Sequence, residues 1–136
     1  MFTLHPRLAA DTVEVSRLPL CTLRLMNDAR FPWLILVPMR EGITEIHALD
    51  AAERTQLMDE IVRCSQALES LCKPDKINVG ALGNLVPQLH VHVVARRVGD
   101  AAWPGPVWGS GAAVGYEPKT MADWMDRVRL MIVAGM

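Results

Sequence analysis

The segment Gln88-Leu-His-Val-His-Val-Val-Ala-Arg96 brings together the residue types best suited to chemistry. On a strand alternate side chains share a face, so Gln88, His90, His92 and Arg96 fall together while Leu89, Val91, Val93 and Ala95 turn to a core. Imidazoles two residues apart on a strand stand roughly 6.6 Å from one another. A neutral imidazole is a competent nucleophile near pH 7 and forms a covalent phosphoramidate with phosphorus. Its other ring nitrogen must hold a proton against an acceptor, and a backbone carbonyl serves whatever side chain stands at position 88. His92, Gln88 and Arg96 then suit phosphate oxygens as charge develops.

Two other readings fit the same spacing. An antiparallel sheet with one wet face shows this alternation with no catalysis at all. Two histidines at i and i+2 also suit a shared metal ion, but a third ligand nearby is wanting, since His5 and His47 lie far off in the chain. No metal site and no cofactor is therefore read from the sequence.

The elements that must hold this segment are legible around it. Cys21–Met26 reads as a strand with Leu23 and Leu25 on one face. Asn27–Pro32 reads as a turn, and Trp33–Pro38, apolar throughout, as a central strand buried on both sides. Glu45–Ala48 reads as a short extended piece. Asp50 followed by Glu53 has the form of a capping box, and Leu57, Ile61, Cys64, Leu68 and Leu71 then recur at helical steps, with Glu60, Arg63 and Glu69 away from that stripe. Lys73-Pro74 ends the helix. Lys76–Val79 reads as a strand, Gly80–Asn84 as a turn, and the histidine strand spans Gln88–Arg96.

Beyond it, Val98–Gly115 is a Gly-, Pro- and Trp-rich loop of a length that is commonly functional. Trp103 and Trp108 in it suit either the wall of a base pocket or packing on the sheet. Thr120 can cap a last amphipathic helix carrying Met121, Trp124, Val128 and Met131. The sum is an α+β domain spanning 1–136, an antiparallel sheet of about five strands with one long helix packed on it and a C-terminal helix.

Composition narrows the class. At 51% apolar and 21% charged residues, the chain has the makings of one globular core and not of a disordered polymer. The net charge of −1 is spread along the chain with no basic stripe, which argues against a nucleic-acid partner and leaves a small phosphorylated ligand open. Cys21, Cys64 and Cys72 make neither a CxxC pair nor a metal-like cluster, and the N-terminus lacks a secretory pattern. The longest apolar run is too short to span a bilayer. These features predict a cytoplasmic protein without a membrane partner.

Gln88-Leu-His-Val-His-Val-Val resembles the signature of the histidine triad (HIT) superfamily, His-φ-His-φ-His-φ-φ, with glutamine where the first histidine stands. The segments Leu34–Pro38, Ala51–Leu71, Asn78 and Gly80–Asn84 follow in the order seen in that family, so the resemblance covers roughly residues 20 to 97. It implies a nucleotide hydrolase or nucleotidyl transferase working at an α-phosphate, with His90 as nucleophile and a covalent nucleotidyl-histidine. It implies that His92 contacts the phosphate, that Asn78 and Asn84 reach the phosphates or the leaving group, and that Asn27 or its neighbour Asp28 meets the ribose. Arg96, on the histidine face, joins them as a phosphate contact, and Gln88 keeps a hydrogen-bonding place beside the reaction without the ability to shuttle a proton. A nucleotide substrate and a homodimer are the partners the resemblance implies. A nucleotide-binding module with little or no catalysis is the other function consistent with the lost histidine.

Overall fold

Trp33–Pro38 is apolar and buried at every position, which is what a strand in the middle of a sheet requires. The computed structural model, which describes residues 1–135, puts it there. The elements run α1 (Pro6–Asp11), β1 (Thr12–Arg17), β2 (Cys21–Met26), β3 (Trp33–Pro38), a 3-10 turn (Ile46–Ala48), α2 (Ala51–Cys72), β4 (Lys76–Gly80), β5 (Val91–Arg96) and α3 (Pro118–Ala134). The strands form one sheet in the order β1-β2-β3-β5-β4, antiparallel at every pairing. The α+β class predicted from the sequence is therefore correct.

Alternation sorts the sheet into two faces. Leu23, Leu25, Leu34, Leu36, Val91, Val93 and Ala95 pack under α2 and α3 in the larger core. On the opposite face Trp33, Ile35, Val37 and Val94 meet Leu8 of α1, Phe31, Val86 and Val107 in a second cluster. α2 begins with the reciprocal cap expected of it: Asp50 Oδ1 accepts from the Glu53 amide at 2.8 Å and Glu53 Oε1 from the Asp50 amide at 2.9 Å. Such a cap is worth about 1 kcal/mol.

The structure corrects five of the sequence expectations. Glu60 is not on the solvent side of α2 but fully buried, where its carboxylate accepts from the Leu20 and Cys21 amides at 2.9 and 2.8 Å and from Gln56 Nε2 at 2.6 Å. Those amides open β2 and have no ladder partner, so a buried acceptor satisfies what would otherwise be costly orphans. Arg63 likewise turns inward, donating from Nη2 to the Ile132 carbonyl of α3 at 3.1 Å, because α3 covers a second stripe of α2. Glu45–Ala48 is not extended: with no strand to pair with, it closes its own i→i+3 bonds, Ala48 to Glu45 and Leu49 to Ile46. The last helix starts at Pro118, whose missing N–H suits a first turn, and not at a Thr120 cap. Finally, β5 begins at Val91; the Leu89 amide goes to the Ile43 carbonyl at 3.0 Å, because β3 ends its pairing at Leu36 opposite Val91.

The fifth strand is β1, whose alternation is broken by a bulge between Glu14 and Ser16. Among the described residues no helix is long and apolar enough to cross a membrane.

Candidate active site

Because Val91, Val93 and Ala95 point into the larger core, His90 and His92 emerge on the other face of the sheet. There they line a cleft of about 690 Å³. Ile35 joins them on its floor, α1 forms one wall through Leu8 and Asp11, and the turn after β2 supplies Asn27 and Asp28. Asn84 and Val86 close a third side, and Trp108 from the long loop a fourth.

Each histidine has one ring nitrogen tied to a neutral group. His90 Nδ1 lies 2.7 Å from the Gln88 carbonyl oxygen. A carbonyl only accepts, so Nδ1 carries the proton and the neutral ring keeps its lone pair at Nε2. Trp33 Nε1–H donates to His92 Nδ1 at 3.0 Å. The two imidazole centroids are 4.9 Å apart at 66°, and Trp108 meets His92 edge-on at 5.3 Å. Burial pushes the His92 pKa down to about 3, and the neighbouring His90 acts in the same direction.

Of the residues singled out from the sequence, His90, His92, Asn27, Asp28 and Asn84 line the cleft. Gln88, Asn78 and Arg96 do not. Gln88 spends its amide on the N-terminal segment, accepting from the His5 amide at 2.8 Å and donating to the Thr3 carbonyl at 2.9 Å. Arg96 stays on the histidine face, yet its guanidinium is engaged by Asp100 at 2.8 and 2.9 Å and by Asn78 Oδ1 at 2.9 Å. Phe31 and Trp103 flank it, with centroids 5.5 and 5.7 Å away. That pairing holds the Asp100 carboxyl well below the usual carboxylate range and anchors the start of the long loop.

The loop's far end is held by the turn after β2. Asp28 is buried; burial disfavours its charge, but hydrogen bonds from Arg30 and from the Val114 amide outweigh this and lower its pKa. Arg30 in turn donates to the Ser110 carbonyl at 3.1 Å. Asn27 Oδ1 accepts from the Tyr116 amide at 2.8 Å, and among the described residues nothing accepts from its Nδ2 at the cleft. Of the two neighbours, Asn27 is the freer to meet a ligand.

Sequence reasoning missed Trp33 and the α1 wall. Pro6 at the first helical position was the available signal for α1. Trp33 was hidden in a run read only as core.

The family model described as the HIT domain matches residues 7–99, which include both histidines and most of the cleft. The chain belongs to the HIT domain family. This HIT protein is similar to the solved histidine triad protein of Bradyrhizobium japonicum, at 47% identity over 96% of this chain and 98% of that one, with a TM-score of 0.94. It is also similar to one from Marinobacter aquaeolei, at 44% identity over 98% of each chain, with a TM-score of 0.96. Among curated proteins it resembles an AP-4-A phosphorylase of Mycobacterium tuberculosis, 34% identical over a match of 83 positions that covers 57% of this chain and 42% of that protein. The chain spans less than half the length of that relative.

Among the described residues no three His, Cys, Asp or Glu side chains gather into a group that could hold a metal ion.

Proposed function

We propose that this HIT protein is a nucleotide hydrolase or nucleotidyl transferase. It acts at the α-phosphate of a nucleotide derivative, of dinucleoside polyphosphate or nucleoside phosphoramidate type, through a covalent nucleotidyl-histidine on His90. The observation that carries this reading is the His90 Nδ1 to Gln88 carbonyl bond of 2.7 Å, which in the neutral tautomer leaves the lone pair at Nε2 on a ring lining the cleft. The curated name of the Mycobacterium tuberculosis relative supports nucleotide processing as the class of activity.

In the first step His90 Nε2 forms a bond to phosphorus and the bond from phosphorus to the leaving oxygen or nitrogen breaks, the electron pair departing with the leaving group. A proton reaches that group from water or an adjacent donor. Water or another acceptor then attacks phosphorus and yields its proton to solvent, and the nitrogen–phosphorus bond breaks with its electron pair returning to Nε2, regenerating His90. His92 and Asn84 hydrogen-bond the phosphoryl oxygens and Asn27 meets the sugar, while Asp28 beside it holds the long loop in place. Gln88, Asn78 and Arg96 act at one remove, by holding the N-terminal segment and the long loop that frame the cleft. The chemistry calls for no cofactor.

A nucleotide-binding module without turnover is the second reading, favoured by the commitment of the Gln88 amide to His5 and Thr3. We further propose a homodimer, with the exposed edge strand β4 and the exposed Met58 and Val62 of α2 as its contact surface. The unpaired thiols of Cys21, Cys64 and Cys72 support a cytoplasmic setting.

The test is incubation with a nucleoside phosphoramidate and with a dinucleoside polyphosphate, followed by mass spectrometry of the acid-quenched protein. We expect turnover and a nucleotidyl adduct in the wild type, and neither in a folded His90→Ala variant. Full activity in His90→Ala removes His90 from the mechanism, and binding without turnover or adduct in the wild type selects the binding module.

A further inference from the structure

We infer that Trp33 is a positioning residue of this site: its indole N–H fixes His92 as the Nε2–H tautomer, the complement of the tautomer that the Gln88 carbonyl imposes on His90. The catalytic half of this inference rests on the reading of His90 as nucleophile; the tautomer half does not.

In the β3–β5 ladder Trp33 stands opposite Val94 and Ile35 opposite His92, so Trp33 is the diagonal neighbour of His92 on the same face. A diagonal pair lies about 7–8 Å apart along the sheet, which an indole spans and a smaller side chain does not. The ring reaches across with its centroid 5.7 Å from that of His92 and sets Nε1 3.0 Å from Nδ1.

An indole N–H has no lone pair to offer and can only donate. His92 Nδ1 must therefore be the acceptor, and the proton of the neutral ring must sit on Nε2. The burial of His92, 5% exposed between Trp33 and Trp108, discourages a second proton. The ring lines the cleft, so Nε2–H is the polar group it has left for a ligand.

The two rings are thereby made unlike one another. His90 presents a lone pair for phosphorus, and His92, one pleat repeat along, presents a hydrogen-bond donor for a phosphoryl or leaving-group atom that gains charge as the bond breaks. Both tautomers are set by neutral partners, a carbonyl for His90 and an indole for His92. Without the indole N–H, the His92 proton is free to sit on Nδ1. The ring would then turn a lone pair, repelled by phosphate, toward the cleft.

The experiment is a long-range 1H–15N correlation spectrum of the intact protein with 15N-labelled histidine near pH 7, for the wild type and Trp33→Phe, with steady-state kinetics on a nucleoside phosphoramidate. In the wild type we expect His90 as Nδ1–H and His92 as Nε2–H. In Trp33→Phe the His92 pattern should become a mixture of tautomers, with kcat down about 10- to 100-fold and KM changed far less. A wild-type His92 in the Nδ1–H form overturns the inference even if the variant does not fold. So does a His92 that keeps its Nε2–H pattern, or a kcat at the wild-type level, in a folded Trp33→Phe. If the tautomers behave as stated but the wild type turns over no nucleotide, the tautomer assignment stands and the enzymatic reading alone falls.

Discussion

Gly80 and Trp108 share one volume: a Cβ placed on Gly80 would sit 2.8 Å from Cη2 of the indole. Gly80 pairs with His92 across the β4–β5 ladder, so the missing side chain is what lets Trp108 lie edge-on to His92. The backbone at Gly80 is ordinary strand, and it is the space, not the φ angle, that demands glycine.

Gly80→Ala should therefore displace Trp108 and unwall His92. We expect a loss of about 1–3 kcal/mol in chemical denaturation. The His92 ring protons should shift at the same time, as the indole ring current moves away. A variant with wild-type stability and unshifted His92 resonances would mean that the indole is not held where the glycine leaves room.

Gln88→Ala tests whether that amide belongs to the chemistry or to the frame. Its hydrogen bonds to His5 and Thr3 join the chain's start to the entry of β5, and their loss should cost about 1–2 kcal/mol. Hydrogen exchange at the His5 amide should accelerate, while His90 keeps its Nδ1–H tautomer, since its acceptor is a backbone carbonyl. A kcat as low as that of His90→Ala, with His5 still protected, would return the Gln88 amide to the reaction.

His92 makes the fold acid-sensitive in a defined window. Its folded pKa of about 3 lies below the ordinary value of 6.5, so below pH 6.5 the unfolded chain binds a proton that the folded one refuses. The stabilisation is complete above pH 6.5 and is lost as pH falls toward 3. Between pH 6.5 and 5, where ordinary carboxylates stay ionised, unfolding free energy should drop by about 2 kcal/mol. His92→Gln should flatten that slope. Constant wild-type stability from pH 7 to 5 in denaturant titrations would contradict the burial of the ring.

Much of this was readable from local pattern. The Asp50–Glu53 cap, the apolar run of β3 and the alternation of residues 89–96 each report a periodicity or a contact within a few residues. Glu60 shows where such reading stops. On helical spacing it belongs with the solvent, but β2 begins beside α2 with two amides in need of an acceptor, and only the packing of one element on the other reveals that need. The loop residues Asp28 and Arg30 are a second instance, since their partners Val114 and Ser110 lie some eighty positions onward.

The sequence by itself determined which face of the sheet the two imidazoles share, because that follows from a two-residue repeat, and it allowed a backbone carbonyl as the His90 acceptor; the structure identified that carbonyl as Gln88's. Tertiary structure alone decided what the polar side chains do on that face. It gave Gln88 to the N-terminus, closed Arg96 onto Asp100, and laid Trp33 against His92 from 59 residues away. A face is set by the pleat of one strand; a partner is set by the register between strands, and no single strand contains that information.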